Sequence, residues 1–243
     1  MARSLKINLG NKMPKIKLIF FDMEGVIFDS GFVEKRPKVA ASVWSILSTS
    51  LGEEARKAED TSTNMWINGK FRSQLEWAEH VIENIHRKHK LTKKKFYEVI
   101  DNVPFMHGTK ETFSELHKRG YLTAIISGGF KNQADRAAKE LKVRHIFAGT
   151  EYFFDDKTGE LIGWNILPCD YEGKVEFMKL LMREYRFESK DCAFVGDGVN
   201  DIPLAKEVGL SIAFNARKEL QEVTTHSISQ EKKDLRAILK YFP

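Results

Sequence analysis

Residues 17 to 30 read KLIFFDMEGVIFDS. An apolar run ends in Asp22, Glu24 follows two positions later, and then comes Gly25. Two more stretches share this layout. LTAII runs into Ser127, Gly128 and Gly129, and AFV runs into Gly196, Asp197, Gly198, Val199, Asn200 and Asp201. Lys174 adds a cation at the start of a helical pattern. Such a set suits a phosphate ester. The Asp22 carboxylate can attack phosphorus to give an aspartyl-phosphate. Two anions repel, and a Mg²⁺ held by Asp22 and Asp197, with a main-chain carbonyl and waters, supplies the missing charge through the all-oxygen ligation it prefers. Lys174 screens what phosphate charge remains. Ser127 and the amides of Gly128 and Gly129 donate hydrogen bonds, close to the N-terminus of a helix starting near Lys131. Glu24 is then placed to protonate the leaving alkoxide and later deprotonate water, an acid/base role worth roughly 10²–10⁴-fold.

These residues act together only if a common scaffold brings them to one place. KIKLIFF (15–21), YLTAII (121–126), HIFAG (145–149), DCAFVG (191–196) and LSIAF (210–214) read as short buried strands. Helical patterns lie between them: KETFSELHKRG, KNQADRAAKEL, GKVEFMKLLMREY and DIPLAKEVG. Apolar strands alternating with helices predict an α/β fold, a parallel sheet covered on both faces. Ligands bind such sheets beyond the carboxyl ends of the strands, where the three residue groups sit. EYFFDDKTGELIGW (151–164) reads as a β-hairpin beside the main sheet. Residues 32 to about 104 break the rhythm. VAASVWSILSTSL, FRSQLEWAEHVIENIHRKH and TKKKFYEVID predict amphipathic helices without strands between them, an insert in the core. Trp66 and Trp77 are expected to pack inside that insert, with an aromatic pocket wall as the other reading. His86 and His89, three apart, are expected on a solvated polar face.

The bulk numbers set the frame. The 243 residues suit a core plus a smaller insert, and 42% hydrophobic with 30% charged residues describe a globular protein with a real core. No run approaches the roughly 18 apolar residues of a membrane span, and MARSLKINLGNKMPK reads as a short basic arm, not a signal peptide. Cys169 and Cys192 are too few for a disulfide framework or zinc site, which predicts reduced thiols and a cytoplasmic setting. The formal charge of +5 is mild. Its lysine-rich stretches lack the interleaved aromatics of a nucleic-acid platform, so the expected partner is a small-molecule phosphomonoester, with neither nucleic acid nor membrane.

The motif stretches resemble the signatures of the haloacid dehalogenase superfamily of phosphatases, over nearly all of the chain after the N-terminal arm. ISGGF (126–130), VGDGVNDIPLAKEVGLSIAF (195–214) and DLRAILKY (234–241) are most similar to its phosphoserine phosphatase branch. The resemblance implies a Rossmann-like three-layer core, 15–31 and 105–243, with a helical cap, 32–104, and an arm, 1–14. It implies Asp22 as nucleophile, Glu24 as acid/base with its main-chain carbonyl on the metal, Ser127 and Lys174 on the phosphate, and Asp197 on Mg²⁺. Asn200 is implied at a substrate or phosphate contact, and Asp201 in support of the metal. Phosphoserine is the first candidate substrate. An Asp-x-Glu-Gly-Val pattern also resembles homoserine phosphotransferases, so transfer to a hydroxyl acceptor is the alternative. Two positions depart from the branch. Gly31 stands where an acid reads the substrate ammonium, and Glu76 where an arginine reads its carboxylate, with Arg72 one helical turn earlier.

Overall fold

The computed structural model describes residues 16–29, 31 and 42–243. The expected arm, 1–14, and the first residues of the expected insert lie outside them. Among the described residues, seven strands form one sheet in the order β4-β3-β2-β1-β5-β6-β7. They are β1 (Leu18–Phe21), β2 (Leu122–Phe130), β3 (His145–Phe154), β4 (Leu161–Ile166), β5 (Cys192–Gly196), β6 (Leu210–Phe214) and β7 (His226–Ile228). All pair in parallel except β3 with β4.

The strand β1 is central and buried throughout. Its side chains alternate between two apolar layers, as strand geometry requires. Leu18 and Phe20 face Met178 of α7 (Glu172–Tyr185) and Leu204 of α8 (Ile202–Glu207). Ile19 and Phe21 face the layer of α5 (Thr109–Lys118) and α6 (Lys131–Leu141), where the rings of Phe21 and Phe113 lie 4.6 Å apart. Helices thus cover both faces, giving the predicted three layers.

Among the described residues between β1 and α5 run four α-helices: α1 (Val43–Ser50), α2 (Glu53–Ile67), α3 (Gln74–Val81) and α4 (Lys93–Asn102). Their apolar residues are continuous with the α5/α6 layer. Trp44 packs on Phe130 with ring centroids 4.7 Å apart, and Phe96 packs on Phe130 and Tyr152 at 5.5 and 5.3 Å. Arg136 of α6 donates to the carbonyls of Ile100 and Val103 at the end of α4. No described helix is long and apolar enough to cross a membrane.

Three sequence expectations change. HIFAG and EYFF are one strand, β3, so the expected hairpin is the antiparallel edge of the main sheet. Ser127, Gly128 and Gly129 belong to β2 itself and not to a loop after it, with an irregular register between Ser127 and Phe130. Glycine inside a strand marks such irregularities. His86 is fully buried, not solvated. It lies in a π-helical stretch, Ile82–Arg87, that continues α3. The wider π turn shifts the phase of the helix, so His86 goes inward with Ile82 and Ile85.

Candidate active site

Parallel pairing sets the site. Phe21 is level with Ile125 of β2 on one side and Val195 of β5 on the other. The next residues of all three strands therefore emerge at one rim. The amide of Asp22 donates to the Val195 carbonyl at 2.9 Å, which fixes where its carboxyl begins.

Lys174 ties the rim together. Projecting from the first turn of α7, it has no solvent exposure. Its Nζ donates to Asp22 Oδ1 at 2.7 Å and to Asp201 Oδ1 at 2.5 Å, and lies 3.8 Å from Asp170 Oδ1. Asp201 is fully buried, and its Oδ2 also accepts from the amides of Asp197 and Gly198 at 2.9 and 3.1 Å. Asp22, Asp197 and Asp201 bring carboxylate oxygens within 4.8 Å of one another.

One ammonium does not neutralise four carboxylates. Burial lifts Asp22 to about 7 against the pull of Lys174, and the charge of Asp201 adds to the lift. Asp197 is raised well above the usual carboxylate range by burial and by the charges of Asp22 and Asp201. Buried carboxylates that resist ionisation together are a site short of positive charge. An all-oxygen set of this charge fits Mg²⁺. Gly25 makes room for the arrangement: it has φ +78°, and a Cβ there would overlap Asp197 Oδ2.

Glu24 faces the same cavity but stands outside that carboxylate cluster. Its Oε2 accepts from the amide of Val43, the first residue of α1, at 3.1 Å. The amides of a helix's first turn lack partners within the helix, and Glu24 supplies one across 19 positions of chain. Its Oε1 is buried without a partner. Burial lifts its carboxyl to about 8, against the pull of the Val43 bond.

A cavity of about 270 Å³ opens above these groups. Its floor holds Asp22, Glu24, Ser127, Gly128, Gly129, Asp197 and Asn200. Ser127 is buried, and its Oγ accepts from the Gly129 amide at 3.2 Å. Helices of the inserted segment close the cavity with Trp44, Trp66 and Trp77.

A family model of haloacid dehalogenase-like hydrolases matches residues 16–209, a span that includes β1, β2, α7 and β5 with their rim residues. The chain belongs to this family. It is 30% identical over 228 residues to the phosphoserine phosphatase of Methanocaldococcus jannaschii, covering 93% of this chain and 98% of that one. With the phosphoserine phosphatase of Archaeoglobus fulgidus it is 27% identical over 217 residues, which cover 88% of this chain and 57% of the relative. Its fold is similar to that of a substrate-bound phosphoserine phosphatase, with a TM-score of 0.71 at 26% identity, over 94% of this chain and 99% of the other. The protein is thus a phosphoric monoester hydrolase of the phosphoserine phosphatase-like type.

In this hydrolase Asp22, Glu24, Gly25, Ser127, Gly128, Gly129, Asp197, Gly198 and Asn200 line the cavity, and Lys174 and Asp201 are buried and bonded to each other, with Lys174 also holding Asp22. Other residues there had gone unnoticed. Asp170, four positions before Lys174, lines the cavity and accepts from Asn200 Nδ2 at 2.7 Å. A Cβ on Gly128 would come within 2.9 Å of the Asp170 carboxyl, so glycine is needed there for close approach. Glu59 is 2% exposed and also lines the cavity. Trp66 and Trp77 line the cavity, the other reading the sequence allowed, and Trp77 also packs on Trp44 against the apolar core. Glu76 and Arg72 pair with each other at 3.3 Å, and neither lines it.

Proposed function

We propose that this hydrolase is a Mg²⁺-dependent phosphomonoesterase for a small metabolite, working through an aspartyl-phosphate on Asp22. The observation that carries the reading is the Lys174 ammonium. It bridges Asp22 and Asp201 at the rim, with Asp197 beside them, at the base of the cavity.

Asp22 and Asp197 are the carboxylates that would hold Mg²⁺, with the main-chain carbonyl of Glu24. Asp201 supports them indirectly, since its oxygens already serve Lys174 and two amides. When bound, the ion supplies the positive charge that lets a carboxylate meet a phosphate dianion. Ser127 and the nearby amides orient the phosphate, and Lys174 holds the Asp22 carboxylate in line. An Asp22 oxygen attacks phosphorus as the ester P–O bond breaks. The leaving oxygen takes the proton of the Glu24 carboxyl, which burial keeps protonated near neutral pH. Glu24, now ionised, removes a proton from water, and the water oxygen attacks the aspartyl-phosphate. Inorganic phosphate leaves and Asp22 is restored. The inserted helices α1 to α4 act as a cap over the rim that excludes bulk water during these steps.

Phosphoserine is the reference substrate, because the relatives at 26–30% identity are phosphoserine phosphatases. The buried free thiols of Cys169 and Cys192 support a cytoplasmic setting. Phosphate release from a panel of monoesters, with Mg²⁺ and with chelator, tests the reading. Release is expected only with the metal and is expected to vanish in Asp22→Asn. Full activity in that variant would refute the mechanism.

A further inference from the structure

We propose that His86 is a positioning residue for the proton transfer assigned to Glu24. It fastens α1 to the core strand β3, and so holds the Val43 amide where the Glu24 carboxyl meets it. This rests on the phosphomonoesterase reading, in which Glu24 protonates the leaving oxygen.

The contacts run from the sheet to the rim without a break. Tyr152 belongs to β3, and its hydroxyl lies 2.7 Å from His86 Nδ1. The other ring nitrogen, Nε2, lies 3.1 Å from Ser48 Oγ. The face of the ring stacks on Trp44 at 5.9 Å and 15°. Trp44 and Ser48 are four apart and share one face of α1. His86 therefore grips a full turn of that helix while Tyr152 holds its far side. One residue before Trp44, the amide of Val43 donates to Glu24 Oε2 at 3.1 Å. His86 itself does not line the cavity, so any effect on the reaction passes through α1.

The residue type and the local backbone agree. A fully buried imidazole is a costly way to fill an apolar core unless both nitrogens are paired. Here both pairs lie on other elements, one on β3 and one on α1. What the ring adds over a leucine or phenylalanine is two directed bonds on opposite sides. The π stretch Ile82–Arg87 turns it inward to make them, and π turns in helices occur frequently at functional sites. The anchor is tied to the rim as well. The Tyr152 ring meets Phe130 edge-on at 5.1 Å, and Phe130 follows Gly129 directly at the end of β2. A hydrogen bond of 3.1 Å has little room to lengthen before it is lost. A shift of about 1 Å in a positioning group can cost roughly 10²-fold in rate.

The test compares leaving groups. With Mg²⁺, kcat/KM is measured for L-phosphoserine, or for the alkyl monoester the panel selects in its place, and for p-nitrophenyl phosphate, whose leaving group departs as an anion and needs no proton. The ratio of the two is insensitive to the fraction of protein folded. In Tyr152→Phe and in His86→Phe the alkyl ester is expected to lose about tenfold to a hundredfold, and p-nitrophenyl phosphate less than about threefold, since general-acid help is not at stake. In a Glu24→Gln background the same substitutions are expected to leave the ratio unchanged, because residues acting through one group are not additive. Equal losses for the two esters, no loss for either, or a further shift of the ratio in that background overturns the proposal. The Val43 amide proton gives a readout independent of turnover. Its NMR shift in Tyr152→Phe is expected to move toward its position in Glu24→Ala, and an unmoved shift also overturns the proposal. If the unaltered enzyme hydrolyses no ester, the phosphomonoesterase reading fails instead, and the Val43 shift still decides whether His86 holds α1 on Glu24.

Discussion

Replacing His86 by Phe tests the packing behind the cavity wall, and the expected result depends on pH. His86 is fully buried. Its Nδ1 lies 2.7 Å from the Tyr152 hydroxyl and its Nε2 3.1 Å from Ser48 Oγ. The ring stacks on Trp44, which lines the cavity, at 5.9 Å and 15°. Burial holds its pKa down at about 3, against 6.5 for a solvated histidine. Between those values the unfolded chain binds a proton that the folded chain refuses. Stability is therefore present above pH 6.5 and drains away as pH falls toward 3, at about 1.4 kcal/mol per unit and about 5 kcal/mol in all. Phenylalanine does not titrate, but it leaves two buried hydroxyls without their partner, a cost of about 2–4 kcal/mol. The native protein should thus be the more stable by that amount at pH 7.5. By pH 4.5 it has lost about 2.8 kcal/mol, and the two proteins should be nearly equal. Urea unfolding of both at pH 7.5, 6 and 4.5, in chelator, measures the difference. Groups that titrate alike in both proteins cancel from it. A difference that stays constant across this range would refute the reasoning.

Three further predictions concern the rim. Gly25→Ala forces a Cβ into Asp197 at a positive-φ position, and should weaken Mg²⁺ binding by tenfold or more in calorimetry, with about 1–3 kcal/mol lost in urea unfolding; unchanged metal affinity would count against Asp197 as a ligand. Lys174→Met leaves buried carboxylates without their cation, and in chelator at pH 8 should cost about 3–5 kcal/mol. That cost should shrink by pH 5, because Asp22, raised to about 7, is then neutral in the fold; equal stability loss at both pH values would contradict it. Glu24→Gln keeps the size but not the proton, and should lower kcat roughly 10²–10⁴-fold in steady-state assays; an unchanged kcat would remove Glu24 from proton transfer.

Sheet and rim were legible because both rest on local signals. The strands β1, β5 and β6 are short apolar runs, Asp22 and Asp197 directly follow two of them, and Ser127 falls within β2, whereas β7, His226–Ile228, pairs in parallel with β6 but has no apolar run and was not legible. The helix α2 was not legible. Its buried positions are Ala55, Glu59, Ser62 and Thr63. A face that polar carries no hydrophobic periodicity, although it is the face that supplies Glu59 to the cavity. His86 misled for a related reason. Helical spacing places it with His89 only if every turn is an α turn, and the π stretch at Ile82–Arg87 breaks that assumption.

The glutamate at position 24 shows where local reading ends. Nothing near it in sequence explains why the second acid is the longer one. Its partner is the Val43 amide, 19 positions on, at the start of the first inserted helix. An aspartate would be shorter by one carbon–carbon bond, about 1.5 Å, and from the same backbone would leave that amide unmet. The bond has a chemical effect as well as a structural one. Burial raises the Glu24 carboxyl, and the hydrogen bond from Val43 pulls it back. The proposed acid/base is therefore balanced between a buried position set by the core and a donor set by the insert. Moving α1 away from the rim would remove that donor and let water in at once, so the proton affinity of Glu24 is tied to where the inserted helices sit.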